Sequence, residues 1–136
     1  MDKAEIMDFI RKNHLCYLAT VEGNKPHVRG MDMFRADENG LLFYTGKSKE
    51  VYQQIVKNPE VEICFTAEGA QVRVSGRMEI VEDMAVKNEI VAARLFLKAL
   101  HEASGFESMG VMRLVNGKAT NWSMKDMAAP KTFIDL

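Results

Sequence analysis

Hydrophobic and polar residues alternate with a period of two along most of this chain, which is the pattern of β-strands that bury one face. The clearest run is residues 71–81, where Val72, Val74, Met78 and Ile80 share one face. The alternation and its interruptions predict seven strands, at residues 15–21, 26–35, 41–45, 61–67, 71–81, 106–115 and 118–124.

Turn-forming residues separate these strands. Glycine supplies a positive φ in the predicted turns at residues 22–25 and 68–69. Asn116 and Gly117 form a dipeptide typical of two-residue hairpins, so we expect a tight turn between the last two strands. Gly76 lies inside a predicted strand and is expected to mark a bulge or a bend at a barrel corner.

Three segments show the helical period instead. Residues 2–13 form an amphipathic pattern, and residues 48–57 form another with Val51 and Ile55 as the buried pair. Residues 83–103 are predicted to be helical in one or two pieces. The inward-facing candidates of this last segment are Met84, Ile90, Val91, Leu95 and Leu100.

The order of these elements favours a mainly-β fold, an antiparallel β-barrel with flanking helices. Consecutive hairpins with few intervening helices are typical of antiparallel barrels rather than of parallel sheets. The chain has 136 residues and no repeat or linker, which predicts a single domain over residues 1–136. Hydrophobic residues make up 47% of the chain, enough for a core, and a protomer of this size leaves surface available for dimerisation.

Charge and cysteine content exclude several classes of protein. The net charge is −1, from 18 basic and 19 acidic residues, which argues against a nucleic-acid-binding protein and against a polybasic membrane anchor. The charged N-terminus lacks an apolar signal core, and no segment reaches the length of a membrane span, so we expect a soluble cytoplasmic protein. Cys16 and Cys64 are expected to be buried, reduced thiols, since no metal-ligand spacing is present.

A basic, serine-containing stretch follows the predicted strand at residues 41–45. Lys47, Ser48 and Lys49 lie at a predicted helix start, where the helix dipole disfavours cations unless an anion lies beside them. Backbone N–H groups at a helix start bind phosphate, and Thr45 adds a hydroxyl. The spacing is not that of a P-loop. The pattern favours an anion site and a plain exposed turn about equally.

Arg29 is predicted to lie on a half-buried strand, directly before Gly30. Arginine is seldom buried without a partner, and the candidates are Asp32, Glu62 or a ligand. A glycine inside a strand allows a ligand to approach the backbone closely. Met31 follows on the same strand and is a further candidate ligand contact.

Gln71 and Trp122 are weaker candidates when taken alone. The amide of Gln71 has the donors and the acceptor needed to read the edge of a heterocycle, although a solvent-facing glutamine is the simpler interpretation. Trp122, the only tryptophan, would suit either a flat ligand ring or an ordinary core or interface position. No nucleophile with a neighbouring base and no catalytic carboxylate pair is evident. Any chemistry would therefore come from a cofactor that the protein orients.

Taken in order, these segments resemble the FMN-binding split barrels related to pyridoxamine 5′-phosphate oxidase. The similarity extends over essentially the whole chain. Each motif is weak alone, and the ordered combination is what indicates the family. The resemblance is carried by the opening helix, by Gly23 and by residues 17–21, 26–29, 43–45, 47–49, 58–59 and 71–76.

The resemblance implies three groups of contacts along an FMN cofactor. Those that line the flavin are Arg29, Gly30 and Met31. Those that contact the isoalloxazine and the ribityl chain are Tyr44 and Thr45. Those that bind the phosphate are Lys47, Ser48 and Lys49. The family is homodimeric with two FMN sites at the interface, which implies that Gln71 and Trp122 reach the flavin from the second subunit.

One departure narrows the expected activity. Full-length oxidases of this family hold their vitamin B6 substrate with an arginine and a histidine in a C-terminal segment, and residues 128–136 contain neither. The chain is instead similar to the short branch, which includes flavin reductases and nitroimidazole-resistance-type reductases. Vitamin B6 oxidation is therefore not the expected reaction.

Three hypotheses follow. The first is an FMN-dependent oxidoreductase that takes electrons from NAD(P)H and passes them to a small acceptor. The second is a flavin-storage or redox-sensing protein without turnover. The third keeps the barrel and exchanges FMN for a deazaflavin (F420) or haem. The visible spectrum with and without added FMN distinguishes among them.

Overall fold

Seven strands and four α-helices make up the chain, which a computed structural model describes over residues 1–136. The helices are α1 (Lys3–Lys12), α2 (Glu50–Lys57), α3 (Met84–Ala93) and α4 (Lys98–Ser104). The strands are β1 (Leu15–Glu22), β2 (Lys25–Asp37), β3 (Gly40–Gly46), β4 (Glu60–Ala67), β5 (Ala70–Val81), β6 (Met109–Ser123) and β7 (Ile134–Asp135).

The first six strands close into an antiparallel barrel. They follow the order β3-β2-β1-β4-β5-β6, and β6 pairs back with β3. Closure leaves no unpaired edge among these six strands. The short β7 pairs with β6 as an additional strand. The predicted antiparallel barrel with flanking helices is confirmed.

The core lies inside this barrel and is made by the inward-facing residues of the strands together with α1. Ile6 and Ile10 of α1 are fully buried and join Phe43 and Phe65 in one cluster of 21 buried residues. On α2 the predicted pair, Val51 and Ile55, is buried as expected.

The predicted hairpin at residues 116–117 is wrong, because β6 continues through it. The register against β5 passes from Lys118 opposite Ser75 to Val115 opposite Arg77, so two residues of β6 face the single Gly76. Asn116 adopts a φ of 54°, and this positive φ forms a β-bulge rather than a turn. The predicted irregularity at Gly76 is confirmed.

The segment that follows β5 differs most from expectation. A short 3₁₀ turn at Leu95–Leu97 separates α3 from α4. Ile90 is buried as predicted, but the predicted inward positions Met84, Leu95 and Leu100 are exposed. The helical phase restarts after Arg94, so a single continuous period misplaces Leu95 and Leu100. Met84 is exposed as the first residue of α3.

Both cysteines are free thiols. Cys16 is buried, and burial raises its pKa to about 12. Cys64 is only partly buried, in contrast to expectation, because it lies on the outer face of β4 beside Tyr17.

None of the helices is long and apolar enough to cross a membrane.

Candidate functional site

A cleft of about 500 Å³ lies between the barrel and the segment that contains α4. The barrel side is formed by β2, by the end of β3 and by the loop after it, and we call this cavity the β3 cleft. Its volume lies within the range of small-molecule binding sites. Six residues predicted as ligand contacts line it, and they are Gly30, Met31, Tyr44, Thr45, Ser48 and Lys49.

Backbone hydrogen bonds fix the loop at residues 46–49. The Lys47 N–H donates to Ser108 O at 2.8 Å, and the Lys49 N–H donates to Gly46 O at 3.0 Å. Lys49 occupies the N-cap position of α2, and its side chain makes no capping bond and no salt bridge within the chain. An uncompensated ammonium group therefore borders the cleft next to a helix start.

Lys47 is arranged differently from Lys49. Its Nζ donates to Glu82 Oε1 at 2.9 Å, and Glu82 also accepts from Lys87 Nζ at 3.3 Å. The hydrogen bond with Glu82 raises the pKa of Lys47. Lys47 is not among the residues that line the β3 cleft. Of the two predicted phosphate-binding lysines, the structure therefore brings only Lys49 to the cavity.

Arg29 also lies outside the lining of the cleft, and its partners are neutral. Its guanidinium donates to Thr20 Oγ1 at 2.8 Å and to Gln54 Oε1 at 2.5 Å. The predicted carboxylate partners Asp32 and Glu62 do not bind it, since Asp32 accepts from Arg94 and Glu62 lies 3.9 Å from Arg73. Arg29 instead bonds to two polar groups that are buried between β1 and α2. Burial lowers the pKa of Arg29, which nevertheless stays charged. A partly buried cation that forms no salt bridge thus lies against α2, where the charge of Glu50 acts on it.

Asp32 is the centre of a hydrogen-bond network that the sequence did not reveal. It accepts from Tyr44 OH at 2.5 Å, His14 Nδ1 at 2.7 Å and Arg94 Nε at 2.8 Å. Burial alone would raise the pKa of Asp32, but the bonds from Arg94, Tyr44 and His14 outweigh burial and lower it. The only signal in the sequence was a carboxylate between Met31 and Met33 on a largely apolar strand.

This network holds the aromatic side chain at the end of β3. Burial, and the hydrogen bond to Asp32, raise the pKa of Tyr44 to about 12. Asp32 is therefore ionised and Tyr44 protonated throughout the neutral range. The bond from Arg94 also ties the end of α3 to the floor of the cleft.

The floor of the cleft is open above Gly30. A Cβ built there would meet only Cys16 O, at 4.0 Å. The packing of the chain itself therefore does not require glycine at this position. The open space next to Met31 is large enough for a ligand to lie against the strand.

Gln71 and Trp122 lie together, but not in the β3 cleft. They are opposite one another on β5 and β6 and border a second cavity of about 540 Å³, together with residues 126–127 and 129–132. The two cavities share no residue. The structure therefore divides the predicted contacts of one ligand between two separate regions of the same chain.

The opposite wall of the β3 cleft was not predicted as part of a site. It consists of Phe96, Leu97, Leu100, His101, Ser104 and Ser108. These residues lie about fifty positions after the loop at residues 46–49 in the sequence, and they belong to no recognisable motif. Only the fold brings α4 over the end of β3.

Comparison with known proteins is consistent with this geometry. The family model described as pyridoxamine 5′-phosphate oxidase matches residues 2–123. General stress protein 26 of Bacillus subtilis is 34% identical over 100 residues, which span 68% of this chain and 69% of that protein.

Solved structures show the same fold. A nimc/nima family protein from Clostridium acetobutylicum superposes with a TM-score of 0.80 at 25% identity, covering 98% of this chain and 92% of that one. A pyridoxamine 5′-phosphate oxidase-related, FMN-binding protein from Nostoc punctiforme has a TM-score of 0.66 at 16% identity, with 98% and 95% coverage. Because the family model spans nearly the whole sequence, the chain belongs to the pyridoxamine 5′-phosphate oxidase family.

Proposed function

We propose that the protein is a homodimeric flavoprotein that binds FMN in the β3 cleft and transfers electrons from NAD(P)H to a small acceptor. The observation that carries this proposal is the convergence of two distant segments on one cavity. Gly30 and Met31 come from β2, whereas Tyr44, Thr45, Ser48 and Lys49 come from β3 and its loop, and all six line the same 500 Å³ space.

The loop at residues 46–49 has the chemistry of a phosphate site. Ser48 offers a hydroxyl, and the Lys49 ammonium has no partner within the chain. Arg29 adds a second cation that forms no salt bridge and is held through Gln54, one turn into α2. A phosphate monoester in the cleft would compensate the Lys49 charge and use the N–H groups at the start of α2, while Arg29 adds to the positive potential from outside the lining.

The remainder of the cleft suits a flat, partly apolar ring system. Met31 provides a polarisable contact, and Gly30 leaves the backbone accessible. Tyr44 is fixed by its bond to Asp32, so its ring is already held in place before a ligand binds. Thr45 lies between the proposed ring site and the phosphate loop, where it would meet the ribityl chain.

A second protomer would complete the site. Gln71 and Trp122 cannot reach the β3 cleft of their own chain, since they border a different cavity. The outer face of β1 and β2 carries exposed apolar side chains, with Leu15 at 69%, Tyr17 at 54% and Val28 at 70% exposure. A patch of this kind on an otherwise charged surface favours burial against a second copy of the chain.

When bound, FMN would supply the electron-transfer chemistry, and the protein would supply binding and orientation. Asp32 and Tyr44 stay in fixed protonation states near neutral pH, since the pKa of Asp32 is lowered and that of Tyr44 is about 12. They would therefore hold the site in shape rather than exchange protons during turnover.

The proposal is tested by the visible spectrum of the purified protein, followed by titration of the apoprotein with FMN. We expect a flavin spectrum, one FMN per chain and a dimer in solution by light scattering. Anaerobic NADH or NADPH should then bleach the flavin absorbance. A protein that takes up no FMN would exclude the proposed site.

A flavin-storage or redox-sensing protein is the second candidate, and one observation favours it. The two ionisable groups on the floor of the cleft, Asp32 and Tyr44, are hydrogen-bonded to each other and keep fixed protonation states near neutral pH, so neither is suited to acid–base catalysis. In that case the flavin would bind in the same cleft, and neither nicotinamide nucleotide would reduce it. The anaerobic titration therefore distinguishes the two functions.

Enlarging Gly30 tests the ring site separately from the phosphate site. Gly30→Ala and Gly30→Val should weaken FMN binding progressively, because the added methyl groups occupy the open floor of the cleft. Stability should stay the same or rise by up to about 1 kcal/mol, since glycine is unfavourable inside a strand. Isothermal titration and thermal unfolding measure the two effects. Equal FMN affinity in all three proteins would show that no ligand lies against Gly30.

A further inference from the structure

His101 is a buried residue of α4 whose ring is held rigidly. It is 7% exposed and stacks on Phe106, with ring centroids 5.6 Å apart and planes within 6°. Its Nδ1 lies 3.3 Å from Gly105 O. Because a carbonyl oxygen can only accept, Nδ1 carries the hydrogen of this bond.

The other ring nitrogen has no partner within the chain. His101 lines the β3 cleft, and its Nε2 makes no hydrogen bond and is not among the polar atoms sealed from solvent. Buried polar side chains are normally hydrogen-bonded, and exceptions at a cavity wall indicate where a ligand belongs. The ring of this cleft-lining residue is thus anchored through Nδ1, and its Nε2 is left accessible and without a partner in the chain.

The neighbouring polar groups on this wall are already engaged. Ser104 Oγ donates to Leu100 O at 2.7 Å, and Ser108 Oγ donates to Gly105 O at 3.0 Å. The carbonyl of Ser108 accepts from the Lys47 N–H at 2.8 Å, so one end of this wall is joined to the loop at residues 46–49. His101 is therefore the side chain with unused hydrogen-bonding capacity opposite Ser48 and Lys49.

We propose that His101 binds the phosphate of the flavin nucleotide through Nε2, from the wall opposite the basic loop. This inference rests on the proposed function and adds a phosphate-binding residue that no sequence motif indicated. The bond needs one proton between the two groups: an imidazolium donates to a phosphate dianion, or a neutral Nε2 accepts from the hydroxyl of a phosphate monoanion. The phosphate is then held between two walls, which selects flavin nucleotides over unphosphorylated flavin.

The test compares FMN with riboflavin, which has the same rings and ribityl chain but lacks the phosphate. The variants are His101→Phe, which retains a flat ring to stack on Phe106, and His101→Gln, which retains a polar group. We expect His101→Phe to weaken FMN binding about five- to tenfold and to change riboflavin binding less than about twofold, as for loss of one charge-assisted hydrogen bond. His101→Gln should fall between the wild type and His101→Phe.

Each outcome of these fluorescence titrations is decisive. An unchanged ratio of FMN to riboflavin affinity in His101→Phe overturns the inference, and so does an equal loss for both ligands, which would indicate a structural role. Wild-type protein that binds neither ligand would refute the proposed function itself. If thermal unfolding shows that His101→Phe does not fold, the same ratio measured on His101→Gln decides.

Discussion

Replacing Lys49 by methionine should weaken FMN binding about ten- to fiftyfold, while the same change at Lys47 should alter it less than about threefold. Both lysines follow β3, and by sequence they are equivalent. In the structure Lys49 lines the cleft without an ion pair, whereas Lys47 Nζ lies 2.9 Å from Glu82 and does not reach the cavity. Methionine retains the length of the side chain, so mainly the charge is lost.

Fluorescence titration at low and at high salt measures this effect. The loss in Lys49→Met should shrink as salt increases, because Lys49 is exposed and its attraction to phosphate is screened. Lys47→Met serves as the matched control of identical chemistry. Equal losses in the two variants would mean that the loop acts as a diffuse positive field rather than through one directed ammonium group.

Replacing Gly40 by alanine should lower the free energy of unfolding by more than about 3 kcal/mol, combining backbone strain with overpacking. Gly40 has a φ of +126°, which L-residues with a side chain rarely adopt. An added Cβ would lie 2.2 Å from Leu114 O, a backbone atom of β6 that cannot move without breaking the pairing that closes the barrel.

The control for this prediction is Gly23→Ala in the turn between β1 and β2. Gly23 also has a positive φ, of +61°, but nothing lies within 4 Å of its Cβ position. Gly23→Ala should therefore lower the free energy of unfolding only by the cost of a left-handed backbone conformation, about 1 kcal/mol. Urea unfolding of both variants measures the difference. Similar losses of unfolding free energy at the two positions would show that β3 and β6 can move apart to accommodate the added methyl group at little energetic cost.

The barrel was predictable because strand patterns are local. Alternation along β5 and apolar runs in the other strands place one face inside, and short turns between neighbours allow little but antiparallel pairing. The error at Asn116 has a physical reason. A positive φ suits both a tight turn and a bulge, and only the continuous pairing of β6 with β5 selects the bulge.

The site was predictable only where its residues belong to ordered local motifs. Thr45, Ser48 and Lys49 are close in sequence, and they share the cleft. The sequence could not show that Arg29 binds Gln54, because that bond depends on the position of α2 against β1. The network of Asp32 with Arg94 joins residues 62 positions apart, which no periodicity reveals.

The class of fold, the family resemblance and the segments that carry the candidate cofactor contacts could all be predicted from the sequence, because each depends on short-range order in the chain. Long-range packing settled which lysine lines the β3 cleft, that Gln71 and Trp122 border a different cavity, and that α4 places His101 in the lining of the same cleft as Ser48 and Lys49. These facts depend on long-range packing, where the direction of a side chain follows from the three-dimensional arrangement of elements rather than from its neighbours in sequence.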